Sequence, residues 1–176
     1  MSPASRGGPP APPPSRPGEA ADGAAPPTAI HRLVDAARAG DPAVIARLPS
    51  GWAMFGRQQF LRGYALLLPD PVVPHLNAMP AAHRGAFLDD MARLGDALLA
   101  ATGALRINYA MFGNLEPALH AHLVPRYADE PAVLRHAHPW AYDWAAAPAL
   151  DAAAMRPLAA LVRARLGVGA PPASGR

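Results

Sequence analysis

The sequence predicts an α+β domain in which an antiparallel sheet of about five strands carries one main amphipathic helix. Residues 80–101 show the apolar period of a helix, and strand-like runs precede and follow them. The chain has 176 residues, of which 51% are hydrophobic, so it is long enough for one domain with a sizeable core.

Both ends of the chain have a different composition from the middle. Residues 1–27 are dominated by Pro, Ala, Gly and Ser, and residues 167–176 have a similar composition. Such segments bury too little apolar surface to offset the entropy cost of ordering. We therefore expect two disordered tails around a single domain that spans residues 28–166.

Two short helices are expected at the start of this domain. Thr28 is a suitable N-cap for a helix whose apolar positions are Ile30, Leu33, Val34 and Ala37. Asp41-Pro42 has the form of a cap followed by a proline, which predicts a second helix start.

The next segments predict two strands and then the main helix. Residues 52–55 and 60–68 are strand-like, and the second run ends at Pro69. In the helix of residues 80–101, the apolar stripe consists of Phe87, Met91, Leu94 and Leu98. The positions expected to face water are Arg84, Asp90, Arg93 and Asp96. Gly103 is expected to end the helix.

The last two predicted strands carry the most informative residues. Residues 106–112 form one run, and a Gly113-Asn114 turn leads to the segment that contains His120 and His122. Side chains alternate in a strand, so the two imidazoles project together from one face. Leu119, Ala121 and Leu123 then face the core.

These segments resemble the histidine triad family of nucleotide hydrolases and transferases. The family signature is His-x-His-x-His followed by two apolar residues, and it often continues with Pro-Arg. When Val124-Pro125-Arg126 are aligned, His122 takes the third position, His120 the middle position and Ala118 the first. This matches a branch of the family that lacks the first histidine. The resemblance covers about residues 51–127, the expected core of the domain, with residues 128–166 as a C-terminal extension.

Imidazole suits this chemistry because its unperturbed pKa lies near 6.5. We expect neutral His120 to attack phosphorus through one ring nitrogen while the other donates to a backbone carbonyl. His122 then donates to a phosphate oxygen or to the leaving oxygen. The residues expected to bind phosphate are Asn114, Gly113, Asn108 and Arg126. The ribose-contacting position of the family falls at about Gly56.

The resemblance implies hydrolysis or transfer at the α-phosphorus of a dinucleoside polyphosphate or a nucleoside phosphoramidate. It also implies a homodimer and no bound cofactor, and it leaves open whether a divalent ion accompanies the substrate phosphates. Two other functions remain open: a nucleotide-binding module without catalysis, and a metal site in which His136 or His138 joins the two motif histidines.

Trp140, Tyr142 and Trp144 form an aromatic cluster after the motif. They can stack on a base or cover the sheet as a hydrophobic clasp, and the clasp is favoured.

Composition excludes several classes of chemistry. The 16 basic residues are all arginines and the chain has no cysteine, which removes Schiff bases, disulfides and cysteine nucleophiles. The arginines are scattered, so the net charge of +3 does not indicate nucleic-acid binding. No segment has the length of a membrane span or the apolar core of a signal peptide, so a soluble cytoplasmic protein is expected.

Overall fold

The structure is a computed structural model that describes residues 26–170. The predicted tails fall almost entirely outside these residues and stay predictions. Within the described range no helix is both long enough and apolar enough to cross a membrane.

A five-stranded antiparallel sheet forms the centre of the domain. Its strands are β1 (Val44–Leu48), β2 (Gly51–Phe55), β3 (Ala65–Pro69), β4 (Arg106–Ala110) and β5 (Ala121–Arg126), in the spatial order β1-β2-β3-β5-β4. The helices are α1 (Ala29–Arg38), α2 (Ala81–Thr102), α3 (Ala132–Arg135) and α4 (Ala152–Leu166), with 3-10 turns at Leu76–Ala78 and Pro139–Ala141. The predicted α+β class is confirmed.

Helices cover the two faces of the sheet unequally. On one face α2 and α4 pack on alternate strand residues such as Phe55, Leu67 and Leu123. On the other face, α1 packs through Ile30 and Val34 against the β2 and β3 side chains that project from that face. The part of this second face formed by β5 and β4 lies beyond α1, and the histidines project from that part.

Several predicted elements are confirmed. The Thr28 hydroxyl accepts a hydrogen bond from the backbone N–H of His31, whose ring interacts in return with the Thr28 backbone, so α1 begins with a capping box. The main helix ends at Gly103, which adopts the left-handed conformation with φ of 69°.

Other predictions are wrong for local reasons. No helix starts at Asp41-Pro42, because the Asp41 carboxylate accepts the Ala43 N–H at 2.8 Å and turns the chain directly into β1. Asp90 is buried rather than facing water, since it accepts the Ser50 N–H at 2.8 Å. The strand expected over residues 60–68 is confined to β3, and the helix α4 was not predicted.

Candidate functional site

The two motif histidines lie side by side on the partly uncovered face of the sheet. His122 belongs to β5, and His120 lies just before that strand begins. Their ring centroids are 4.7 Å apart. Leu119, Ala121 and Leu123 point to the opposite face and join the core beneath α2. The predicted alternation of side chains is therefore confirmed, although His120 precedes the hydrogen-bonded part of the strand.

The orientation of the His120 ring is fixed by a backbone carbonyl. Its Nδ1 lies 2.8 Å from the carbonyl oxygen of Ala118. A carbonyl only accepts hydrogen bonds, so Nδ1 carries the proton and Nε2 of the neutral ring keeps a free lone pair. Ala118 stands at the first position of the motif, and there its backbone provides the contact that orients His120.

His122 is held by a phenol from the neighbouring strand segment. The Tyr64 hydroxyl lies 2.7 Å from Nδ1 of His122. Burial raises the pKa of the Tyr64 phenol, so the hydroxyl keeps its proton at neutral pH. Among the described residues, Nδ1 of His122 is the one hydrogen-bond partner of this hydroxyl. Tyr64 therefore donates to Nδ1, and the proton of the neutral His122 ring resides on Nε2.

His122 is set to act in the neutral form. Burial, and secondarily the neighbouring His120, lowers the pKa of His122 from 6.5 to about 4. His120 is buried as well, with only 7% of the residue exposed. The neutral rings thus offer an unprotonated nitrogen on His120 and an N–H donor on His122, and His122 keeps this form near pH 7.

Aromatic rings fill the side of the site that faces β2. Tyr64 packs against Phe60 and Trp144 with ring centroids 5.0 and 5.4 Å away. The Tyr64 ring also lies directly on Gly56, where an added Cβ would come within 2.1 Å of it. The ribose-contacting position expected at Gly56 is therefore covered by the Tyr64 ring.

Residues 130–144, which we call the clasp, cover the other side of the histidines. Trp140 presents its ring at right angles to His122, with centroids 5.0 Å apart, and it also contacts Phe112. The Tyr142 hydroxyl donates to Glu130 at 2.5 Å, and its ring packs on Phe60. The hydrophobic clasp favoured for these aromatic residues is the arrangement that the structure shows.

Arg126 anchors the clasp, which corrects its expected role in binding phosphate. Its guanidinium is buried and ion-paired with Glu130 at 2.8 Å, and it also donates to the Asn108 amide oxygen at 3.0 Å. The remaining hydrogen bonds go to the carbonyls of Leu134, Arg135 and Ala137. All five N–H donors of Arg126 are occupied, and the Asn108 oxygen is held by the same contact.

The loop before the histidines carries the other predicted phosphate contacts. Gly113 and Asn114 are exposed in this loop. The loop is tied to α1 by Glu116, whose carboxylate accepts the Ala29 N–H at 3.0 Å. The roles of Gly113 and Asn114 in phosphate binding stay predictions.

Tyr64 and Glu116 are the residues of the site and its loop that the sequence did not reveal. Tyr64 lies in a run predicted as a strand, but the chain order does not show that this strand pairs with β5, where Leu66 is opposite His122. A metal centre needs a third ligand, and no group of three or more metal-binding side chains occurs in the part of the chain described here.

No protein-family model and no curated protein matches this sequence. Solved structures do match it. A histidine triad protein from Bradyrhizobium japonicum is 22% identical with a TM-score of 0.61, covering 70% of this chain and 89% of its own. A histidine triad protein from Sinorhizobium meliloti is 19% identical with a TM-score of 0.61, covering 74% and 93%. A hypothetical histidine triad nucleotide-binding protein from Sulfolobus tokodaii is 11% identical with a TM-score of 0.56, covering 71% and 83%. The chain has the histidine triad fold.

Proposed function

We propose that this protein hydrolyses a dinucleoside polyphosphate or a nucleoside phosphoramidate at the α-phosphorus, with His120 as the nucleophile. The observation that supports this most directly is the hydrogen bond between Nδ1 of His120 and the Ala118 carbonyl. It leaves Nε2 unprotonated beside a second imidazole, and this arrangement suits attack on phosphorus.

In the first step, Nε2 of His120 forms a bond to the α-phosphorus. The bond between phosphorus and the leaving oxygen or nitrogen breaks, and its electron pair leaves with the leaving group. A leaving nitrogen also takes up one proton, supplied by solvent or by Nε2 of His122, which water then reprotonates. The Nε2–H of His122, which the Tyr64 hydroxyl favours, donates to a phosphate oxygen or to the leaving atom. The product of this step is a nucleotidyl-imidazole on His120.

In the second step, water attacks the same phosphorus and the bond to Nε2 breaks. The hydroxyl becomes part of the nucleoside monophosphate, the proton passes to solvent or phosphate, and the electron pair returns to Nε2. His120 keeps its Nδ1 proton on the Ala118 carbonyl throughout. The reaction uses no cofactor, and an assay with and without Mg²⁺ tests whether an ion accompanies the substrate phosphates.

The nucleotide part of this proposal has support from the fold. One structural neighbour, from Sulfolobus tokodaii, is described as a hypothetical histidine triad nucleotide-binding protein. We extend nucleotide binding to this chain because it has the same fold and places two imidazoles side by side on one face of its sheet.

We also propose that two copies associate along β4, as the resemblance implies. Within the described residues, β4 pairs only with β5 and lies at the edge of the sheet. An edge strand presents unpaired backbone groups that a second copy can use. Light scattering coupled to gel filtration measures the mass and so tests this dimer.

The decisive experiment compares wild type with His120→Ala in assays of diadenosine polyphosphates and adenosine phosphoramidate. We expect His120→Ala to lower turnover at least a thousandfold, because the nucleophile is gone. The matched control is His83→Ala, which removes an exposed imidazole on α2. Mass spectrometry of acid-quenched wild type should detect a nucleotidyl adduct on His120. Unchanged rates in His120→Ala would exclude the mechanism, and AMP binding without turnover by wild type would favour a non-catalytic binding module.

A further inference from the structure

A cavity of about 540 Å³ lies beside the histidines on the β4 side of the sheet. Its floor includes Asn108, Ala110 and Val124. Ala110 pairs with His122, and Asn108 pairs with Val124, so these residues share the sheet face of the histidines. Trp140 forms part of the cavity wall and also contacts His122. The cavity therefore continues the histidine site along β5, and its volume falls within the usual range for small-molecule sites.

The charge of the cavity wall is positive. Arg106 and Arg135 line the cavity, and within residues 26–170 neither guanidinium forms an ion pair. Glu130 is the one carboxylate in the lining, and Arg126 neutralises it. Two imidazoles, His136 and His138, add further donors. A cavity with this positive charge and these donors is suited to bind an anion such as a phosphate group.

On the opposite side of the histidines, aromatic rings pack closely together. Tyr64, Phe60 and Trp144 pack together there, and the Tyr64 ring lies on Gly56. Successive residues on one strand face are about 6 to 7 Å apart. His120, His122 and Val124 therefore lie in a row on one face of the sheet, from the nucleophile to the floor of the cavity.

We propose that this cavity binds the leaving portion of a dinucleoside polyphosphate, with Arg106 and Arg135 holding its phosphates. This inference rests on the proposed function and names the part of the substrate that the cavity takes. When the bond between the α-phosphorus and the bridging oxygen breaks, the electron pair stays on that oxygen. The leaving group then carries an added negative charge, which favours its binding beside the two guanidiniums.

The first experiment compares two substrates that differ in their leaving group. Diadenosine triphosphate releases a nucleoside diphosphate, whereas adenosine phosphoramidate releases ammonia, which does not reach the cavity. We take the ratio of kcat/KM for diadenosine triphosphate to kcat/KM for adenosine phosphoramidate. We expect the double variant Arg106→Ala/Arg135→Ala to lower this ratio at least tenfold. The control Arg156→Ala removes an exposed guanidinium on α4 and should leave the ratio unchanged. An unchanged ratio in the double variant would overturn the inference while leaving the proposed function intact.

The second experiment measures binding directly and does not depend on turnover. Inorganic tripolyphosphate is titrated into wild type, the Arg106→Ala/Arg135→Ala variant and His120→Ala by calorimetry at low salt. We expect at least tenfold weaker binding in the arginine variant and binding within twofold of wild type in His120→Ala. Equal affinity in wild type and the arginine variant would overturn the cavity as an anion site. If neither nucleotide substrate is turned over by wild type, the proposed function fails and this titration still decides whether the cavity binds polyphosphate.

Discussion

The hydroxyl of Tyr64 and Nδ1 of His122 are 2.7 Å apart, and this contact joins the segment before β3 to β5 at the centre of the site. The phenol is protonated and buried, so it has a single proton to donate and one acceptor to receive it. The contact selects the tautomer of His122 that presents an N–H to the substrate. Tyr64 is therefore a positioning residue that acts through His122.

Replacing Tyr64 with phenylalanine should lower kcat by about fivefold to tenfold, because the loss of one hydrogen bond is typically about 1 kcal/mol. The fold should persist, since the new ring still packs on Phe60 and Trp144. Nitrogen NMR shifts of His122 should show a larger fraction of the tautomer protonated at Nδ1. The control is Tyr142→Phe, which removes a phenol bonded to Glu130 and should leave those shifts unchanged. A normal His122 tautomer in Tyr64→Phe would contradict the positioning role.

Stability should fall as the pH is lowered from about 6.5 to about 4. The folded pKa of His122 is about 4, whereas the unfolded value is near 6.5. Between these values the unfolded chain binds the proton more tightly, so the free energy of unfolding decreases with falling pH, by about 3 kcal/mol in total. Below pH 4 this contribution levels off.

Urea unfolding of wild type and His122→Gln between pH 7 and pH 4 measures this effect. The variant has no titrating ring at position 122, so its slope in this range should be much smaller. His83→Ala, which changes an exposed histidine, should keep the wild-type slope. The same pKa predicts that the pH profile of kcat shows no ionisation of His122 near neutrality.

Local patterns in the sequence predicted the helices α1 and α2, the α+β class and the shared face of His120 and His122. These features depend on period, capping and alternation, which are properties of neighbouring residues. The roles of Tyr64 and Arg126 depend instead on which strands are neighbours of β5 and on how the clasp packs against the sheet. Arg126 follows the motif as a phosphate-binding residue would, and only the three-dimensional structure shows that Glu130 and three carbonyls occupy its donors.

Replacing Glu130 with glutamine should destabilise the protein by about 3 to 5 kcal/mol, because it leaves the buried Arg126 guanidinium without its counterion. Hydrogen exchange should become faster in the clasp, whose carbonyls Arg126 holds. The exposed neighbour Asp129 offers a matched control in Asp129→Asn, which should change stability by less than about 0.5 kcal/mol. Wild-type exchange rates in the clasp of Glu130→Gln would show that the ion pair does not anchor it.

Replacing Gly56 with alanine should separate the packing of Tyr64 from its hydrogen bond. The added Cβ would stand 2.1 Å from the Tyr64 ring, so the ring must move away from His122. We expect a destabilisation of about 1 to 3 kcal/mol from overpacking, together with the loss of activity predicted for Tyr64→Phe. Gly85→Ala is the matched control, because nothing lies within 4 Å of a Cβ at that helical position. It should stabilise the protein by about 0.5 to 1 kcal/mol and leave activity unchanged. If Gly56→Ala kept full activity and a normal His122 tautomer, the close packing of Tyr64 on Gly56 would not be what holds the phenol against the histidine.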